Sequence, residues 1–376
     1  MLLGRDQMVV REINNVRFAV EPAYPNKILL NDETYNLMNQ PDCVMLDDLS
    51  DFIESRSKNA LPLSLHWHMT TRCNFSCSFC YIRDNSHVES YSYAEVAPII
   101  DSMVENGLLK ATLSGGECLL VKDFAKIYRH FKENGVFVSI YTNGSLINKE
   151  LLDLFKELPP FSVEITFYDC DFSSAPFINA ELLISNGINV IGKFTITNQN
   201  VTMFEKVDSW CKSKHIEIKI ETDLFNGSNT KDVSNFIVLD EQLEFFDIQR
   251  FSEYFNNIEK SINPKIGFYC HAAKTCIHLS PELELSLCYK MNNSWSLKDQ
   301  SFDDAYKTLQ SYIDSLKNEC LIGCQGCEAA FLCKMCLAVA EQRIVQDKVS
   351  YHVPDGYCKK IQSRYNAALK KSEAII

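Results

Sequence analysis

The feature that most limits the fold of this chain is a regular alternation of apolar, strand-like runs with amphipathic helical ones, starting at Leu63. Strand-like runs occupy 63–69, 110–114, 136–141, 161–168, 188–196 and 216–222. Helical patterns fill 93–105, 121–133, 148–158, 178–185 and 202–214, and a longer one runs from 240 to 262. Strands that alternate with helices are parallel strands joined by crossovers. Six such units fall short of the eight that close a full barrel, so the expected fold is α/β, an incomplete (β/α)6 TIM-like barrel over 61–262.

Residues 1–60 read as a small N-terminal α+β accessory segment: a strand-like run at 16–20, turns at Pro22 and Pro25, and helical patterns near Asn31 and Asp47. From 263 to 376 the alternation stops, and nine of the sixteen cysteines follow. No repeat, low-complexity linker or heptad pattern interrupts the chain.

Thirty-seven basic against forty-nine acidic residues give a formal charge of -12, which repels phosphate backbones and anionic headgroups. Nucleic acid and membrane are therefore not expected partners. No apolar run approaches the roughly 20 residues that span a bilayer, and the first residues carry charge where a signal peptide needs an apolar core. A cytoplasmic location is expected. There the cysteines would stay reduced and available to metals.

Directly after the first strand comes Thr71-Arg72-Cys73-Asn74-Phe75-Ser76-Cys77-Ser78-Phe79-Cys80-Tyr81, with thiols spaced CX3CX2C. Three thiolates on one short loop can hold three irons of a cubane and leave the fourth open, and an open metal position is a catalytic one. The same thiols with His66, His68 or His87 could instead form a zinc knuckle. The next strand ends in Ser114-Gly115-Gly116-Glu117, where paired glycines admit close backbone approach and the carboxylate could hold an ammonium group. The third ends in Tyr141-Thr142-Asn143-Gly144, a turn. Glu164 and Lys193 are polar groups within apolar runs, so they either face the barrel interior or are satisfied structural residues. No general base is singled out.

CX3CX2C with an aromatic directly before the last cysteine resembles the signature of the radical SAM superfamily. The resemblance implies that the open iron chelates the amino and carboxylate groups of S-adenosylmethionine (SAM), whose reductive cleavage yields a deoxyadenosyl radical. It also implies an external electron donor such as flavodoxin or ferredoxin. By the same resemblance Phe79 packs near the adenine, Gly115, Gly116 and Glu117 contact the methionyl amine, Asn143 belongs to the SAM pocket, and Glu164 and Lys193 lie near the ribose and carboxylate.

The later cysteines run Cys270-X5-Cys276-X11-Cys288, then Cys324-X2-Cys327-X5-Cys333-X2-Cys336, then Cys358. Eight thiols make two sets of four, and four thiolates close a cubane. The layout resembles the SPASM extension of peptide-modifying radical SAM enzymes. That resemblance implies a nearer auxiliary cluster on Cys270, Cys276, Cys288 and Cys336 and a farther one on Cys324, Cys327, Cys333 and Cys358, three 4Fe-4S clusters in all. The sequence departs from the usual pattern in its last X2 spacing and in lacking a glycine before the third cysteine. Cys320 is an extra thiol that could replace a ligand, and a pair of zinc ribbons would also fit the CX2C spacings. Cys43, Cys118, Cys170 and Cys211 stand alone and are expected to have no ligand role.

Within the resembled group the implied substrate is a ribosomally made precursor peptide, and the implied reaction an oxidative cross-link, carbon-carbon or thioether. The alternatives are an anaerobic sulfatase maturase making formylglycine, a SPASM enzyme acting on a small molecule or as an epimerase, and a non-catalytic zinc or iron-sulfur scaffold. The run 28–34 either grips a leader peptide or belongs to a strand and helix capping the barrel.

Overall fold

A computed structural model describes residues 9–13, 16–20, 28–30, 64–82, 91–221, 276–291, 293–316, 341–345 and 348–352, with single positions at 358, 362 and 366. Strands β1 (Val9–Ile13), β2 (Val16–Val20) and β3 (Ile28–Leu30) form an antiparallel sheet of their own. The large sheet begins with β4 (Ser64–His68) and continues through β5 (Lys110–Ser114), β6 (Phe137–Thr142), β7 (Ser162–Phe167), β8 (Val190–Thr195) and β9 (Glu217–Glu221), each parallel to the last. Helices α1 (Tyr93–Glu105), α2 (Phe124–Glu133), α3 (Lys149–Glu157), α4 (Ala175–Ser185) and α5 (Phe204–Ser213) are the crossovers. This is the α/β, mostly parallel architecture the alternation implies.

The strand periodicity of two sorts the side chains cleanly. Leu65, Trp67, Ala111, Leu113, Val138, Ile140, Val163, Ile165 and Phe167 are buried on one face. Helix α2 supplies Phe124, Ile127, Tyr128 and Phe131 at helical spacing to the same core. Each large apolar side chain so buried contributes about 1.5–3 kcal/mol. The opposite face is polar, carrying His66, His68, Ser114, Ser139, Tyr141, Glu164, Thr166 and Lys193.

Element ends follow local chemistry. Helix α1 starts at Tyr93 because the Ser92 amide and hydroxyl both donate to Glu95 Oε2 at 2.7 Å. Helix α3 starts at Lys149 because Asn148 Oδ1 accepts from Leu151 N at 2.9 Å. The helical pattern at 121–133 is shorter than the sequence implies, preceded by a separate 3-10 turn at Cys118–Leu120 that the Glu117 side chain caps. Helix α4 begins earlier than expected, at Ala175, since Pro176 suits a first turn.

The sheet does not end where the alternation does. Strand β10 (Cys276–Leu279) joins β4 in parallel, and β11 (Glu284–Ser286) and β12 (Ser294–Ser296) follow antiparallel, giving the order β12-β11-β10-β4-β5-β6-β7-β8-β9. Helix α6 (Phe302–Leu316) follows. The chain divides into two compact units, Met1–Phe236 with Ala272–Leu309 and Ile237–His271 with Gln310–Ile376. The second contains the hairpin of β13 (Glu341–Val345) and β14 (Lys348–His352). The helical patterns at Asn31, at Asp47 and at 240–262 lie outside the described residues. Among the described residues no helix is long and apolar enough to cross a membrane.

Candidate functional site

The loop after β4 and the loop after β5 are zipped together beyond their strands. Met69 N donates to Ser114 O at 2.9 Å, Gly116 N to Thr70 O at 2.7 Å and Glu117 N to Arg72 O at 2.8 Å. Only glycine allows this approach: a Cβ at Gly115, whose φ is +141°, would stand 2.5 Å from Thr70 O, and one at Gly116 would stand 2.3 Å from Arg72 O. The glycine pair therefore fits against the base of the cysteine loop.

Glu117 is fully buried and its carboxylate is already engaged. Oε1 accepts from Thr142 Oγ1 at 2.7 Å and Leu119 N at 3.1 Å, and Oε2 accepts from Asn143 N at 2.8 Å. Burial pushes this carboxyl above its ordinary pKa, and the Asn143 and Thr142 hydrogen bonds pull it back. The side chain thus ties the ends of β5 and β6 together, while the cavity meets Gly115 and Gly116. Asn143 extends the tie to the cysteine loop, donating from Nδ2 to Asn74 Oδ1 at 2.8 Å and approaching Cys73 Sγ at 3.9 Å.

Cys73, Cys77 and Cys80 are reduced thiols lining one cavity of about 380 Å³ on the polar face of the sheet. Burial pushes the Cys77 thiol up to about 11, and the Cys80 and Cys73 thiols beside it act in the same direction. Burial likewise raises Cys73. Thiols that oppose one another's ionisation in a desolvated pocket are a donor set short of positive charge, which a metal cluster would supply. That chemistry fits an iron-sulfur centre. Among the described residues no three His, Cys, Asp or Glu side chains are grouped as a single metal ion requires, which a knuckle on these thiols with His66 or His68 would need.

Phe79, Asn143 and Lys193 line the same cavity. Lys193 Nζ stands 5.7 Å from the Tyr141 ring centroid. Glu164, expected near the ribose, is buried, holds Lys219 Nζ at 2.7 Å and is not among the residues that line the cavity. Sequence reasoning missed Tyr168, which lines the same cavity and whose ring packs 5.7 Å from Phe75 and 6.4 Å from Phe79. Its position at the end of β7, in phase with Glu164 and Thr166, was the available signal.

Of the eight later thiols, Cys276, Cys288 and Cys358 are described, and Cys270, Cys324, Cys327, Cys333 and Cys336, like Cys43, Cys320 and His87, lie outside the described residues. Strands β10 and β11 pair as His278↔Ser286 and Leu279↔Leu285, so the X11 gap is a hairpin that begins at Cys276, the first residue of β10, and Cys288 follows two residues after the end of β11. Around it the sequence hid a buried polar cluster. His278 Nε2 lies 3.1 Å from His68 Nδ1, His278 Nδ1 lies 2.9 Å from Ser286 Oγ, and His66 Nε2 lies 2.7 Å from Ser114 Oγ. Burial, and then the Lys193 charge, lowers His66 to about 4, and burial likewise depresses His68. Cys118 and Cys211 are buried and Cys170 is half-buried.

Residues 67–173 match the model of the radical SAM superfamily. The S-adenosylmethionine-dependent nucleotide dehydratase of Selenomonas ruminantium is 27% identical over 274 residues, 67% of this chain and 91% of that protein. The antilisterial bacteriocin subtilosin biosynthesis protein AlbA of Bacillus subtilis is 29% identical over 107 residues, 28% of this chain and 24% of that protein. The crystal structure of Streptococcus suis SuiB bound to precursor peptide SuiA is 13% identical, with a TM-score of 0.64, and covers 96% of this chain and 100% of that one. At that identity the likeness is one of fold.

Proposed function

Residues 67–173 are a radical SAM domain, and on that premise we propose that this enzyme cleaves SAM reductively to modify a ribosomally made precursor peptide by an oxidative cross-link, carbon-carbon or thioether. The observation that carries the reading is the gathering of Cys73, Cys77 and Cys80 at one cavity whose other walls are the Gly115-Gly116 backbone, Asn143, Phe79 and Lys193. These thiols would hold three irons of a 4Fe-4S cluster, which with SAM on the open iron supplies the hydrogen-abstracting radical.

The rest is the work of this chain's own residues. Gly115 and Gly116 present backbone polar groups where the methionyl amine would sit, and Lys193 offers a cation to its carboxylate. Phe79 and Tyr168 make an aromatic wall that excludes water beside the thiols and would pack the adenine. Glu117 sets the geometry from behind by fixing the turn at Asn143, in place of the direct amine contact its motif suggests. Glu164 is engaged with Lys219 behind the cavity wall.

The eight C-terminal thiols support a SPASM domain over 263–376 with two closed auxiliary clusters on the assignments given above, Cys276 and Cys288 among the ligands of the nearer one. The peptide substrate is supported by the likeness to AlbA. An electron donor of the flavodoxin or ferredoxin kind would prime the first cleavage. Residues 1–60, with the small sheet of β1 to β3, would receive the leader of the peptide.

A second reading, a nucleotide or other small-molecule substrate, is favoured by the likeness to the Selenomonas dehydratase over 91% of that protein's length. One experiment separates them. The anaerobically reconstituted full chain is incubated with SAM, a low-potential reductant and each short peptide that its neighbouring genes encode, in parallel with nucleoside triphosphates. Loss of two hydrogens from the peptide supports the maturase; an unchanged peptide with a consumed nucleotide overturns it.

A further inference from the structure

Asn143, Asn74 and Ser145 close a ring of side-chain hydrogen bonds beside the first thiol of the cysteine loop. Asn143 Nδ2 donates to Asn74 Oδ1 at 2.8 Å, Asn74 Nδ2 donates to Ser145 Oγ at 2.8 Å, and Ser145 Oγ donates to Asn143 Oδ1 at 2.6 Å. Each donor meets an acceptor, so the three bonds run one way round and polarise one another. Asn143 is buried, and its backbone amide is held from behind by Glu117 Oε2 at 2.8 Å.

The backbone fixes which way the Asn143 amide points. The Ser145 amide can only donate, and it meets the Asn143 side chain at 2.9 Å, so the atom there is the carbonyl oxygen. This local turn directs the amide nitrogen toward the cysteine loop. One of its hydrogens serves Asn74, and Cys73 Sγ lies within hydrogen-bonding reach of the nitrogen at 3.9 Å. The same sulfur accepts from Phe75 N at 3.4 Å. The donors and the oxygen of Asn143 are thus engaged inside the protein, and it lines the cavity because it stands beside Cys73.

We propose that Asn143 is a positioning residue that donates an N–H···S hydrogen bond to Cys73, oriented by Asn74 and Ser145, and so raises the reduction potential of the SAM-binding cluster instead of contacting SAM. The inference rests on the reading of the first three thiols as cluster ligands given above. Reduction adds one negative charge to the cluster and its thiolates, and a donor aimed at a ligand sulfur favours the more negative state. Removing the donor therefore lowers the potential.

The test uses the full chain, reconstituted anaerobically, as wild type and as the Asn143→Ala, Asn143→Asp and Asn74→Asp variants. Bound iron is measured first. The cluster that responds to SAM is then titrated by electron paramagnetic resonance without SAM, and SAM affinity is read from the signal change on adding it. Asn143→Ala removes the donor and adds no charge. Asn143→Asp also removes it but keeps an oxygen for Ser145 N, which preserves the turn should the alanine variant hold no cluster. Asn74→Asp puts the same charge into the ring and leaves the Asn143 donor in place.

Both Asn143 variants are expected to move the reduction equilibrium toward the oxidised cluster by on the order of tenfold, about 59 mV for one electron, with Asn74→Asp moving it less. SAM affinity is expected to stay within about threefold of wild type, well short of what loss of a hydrogen bond to a charged ligand costs. An Asn143→Ala protein at wild-type potential overturns the bond to sulfur; where that variant holds no cluster, an Asn143→Asp shift no larger than that of Asn74→Asp does the same. Loss of SAM affinity at wild-type potential makes Asn143 a direct ligand of SAM and overturns its positioning role. A wild type whose iron signal ignores SAM overturns the cluster reading itself, whatever the variants do.

Discussion

The Glu117 carboxylate accepts a hydrogen bond from the Asn143 backbone amide at 2.8 Å, joining the end of β5 to the turn after β6 from behind the cavity. With the Thr142 and Leu119 donors on its other oxygen, it satisfies three buried or half-buried groups at once. Removing it leaves each without an acceptor, at about 1–3 kcal/mol apiece. Glu117→Ala is therefore expected to lower folding stability by about 3 kcal/mol or more, read as a fall in the urea midpoint. A Glu117→Ala protein of wild-type stability that has lost only SAM affinity would contradict this and restore the carboxylate as a direct ligand of the amine.

The Gly116→Ala substitution tests the zipper between the loops. Its methyl group would meet Arg72 O at 2.3 Å, against a rigid backbone with no side chain to swing aside. The expected outcome is a cost of about 1–3 kcal/mol and a displaced cysteine loop, seen as reduced iron on the first cluster after reconstitution. Full iron loading and an unchanged midpoint would show that the loop has slack.

The histidines give the fold an acid weakness. Burial, with Lys193 adding to it, holds folded His66 at about 4, below the ordinary 6.5. The unfolded chain takes up a proton as pH falls through 6.5, whereas the folded chain refuses it until about pH 4. Stability from this site is thus complete above 6.5 and declines as pH drops through that window, by about 2 kcal/mol at pH 5. His68, also depressed, acts with the same sign. Comparing urea unfolding at pH 7 and pH 5, His66→Leu is expected to lose less than wild type over that interval; an equal loss would count against the assignment.

Much of this fold is legible in the sequence because a parallel sheet covered by helices writes itself as alternating blocks. Strand β5 and helix α1 fall where the pattern puts them, and the other parallel strands differ by a residue or two. The extension through β10 to β12 was not legible, since strands of three or four residues such as Glu284-Leu285-Ser286 carry too little periodicity to register. The polar face was hidden for a different reason. Ser64-Leu65-His66-Trp67-His68 alternates as a strand with one face in water would, yet His68 is buried and His66 lines the cavity. Glu117 shows the same limit at the site: its spacing marks the motif, but only the packing reveals which partners claim the carboxylate.

Cysteine substitution probes the hairpin pair. Cys276 opens β10 and Cys288 follows β11 by two residues, and both are assigned to the nearer auxiliary cluster, so losing either is expected to open the same cluster. Each of Cys276→Ser and Cys288→Ser should bind about four fewer irons per chain than wild type, and the double variant no fewer than either single one. Additive losses from the two singles would mean that the thiols serve different centres.

The central claim is one iron left open by three thiols, and SAM itself is the probe of it. The full chain is reconstituted anaerobically, reduced, and examined by electron paramagnetic resonance with and without SAM, while deoxyadenosine release is measured in the same samples, for wild type and for the Cys73→Ala/Cys77→Ala/Cys80→Ala variant. The account predicts that SAM shifts a cluster signal in wild type and is cleaved to deoxyadenosine and methionine, and that the triple variant loses both responses while keeping its remaining iron. A triple variant that still cleaves SAM, or a fully loaded wild type whose signals ignore it, would contradict the account.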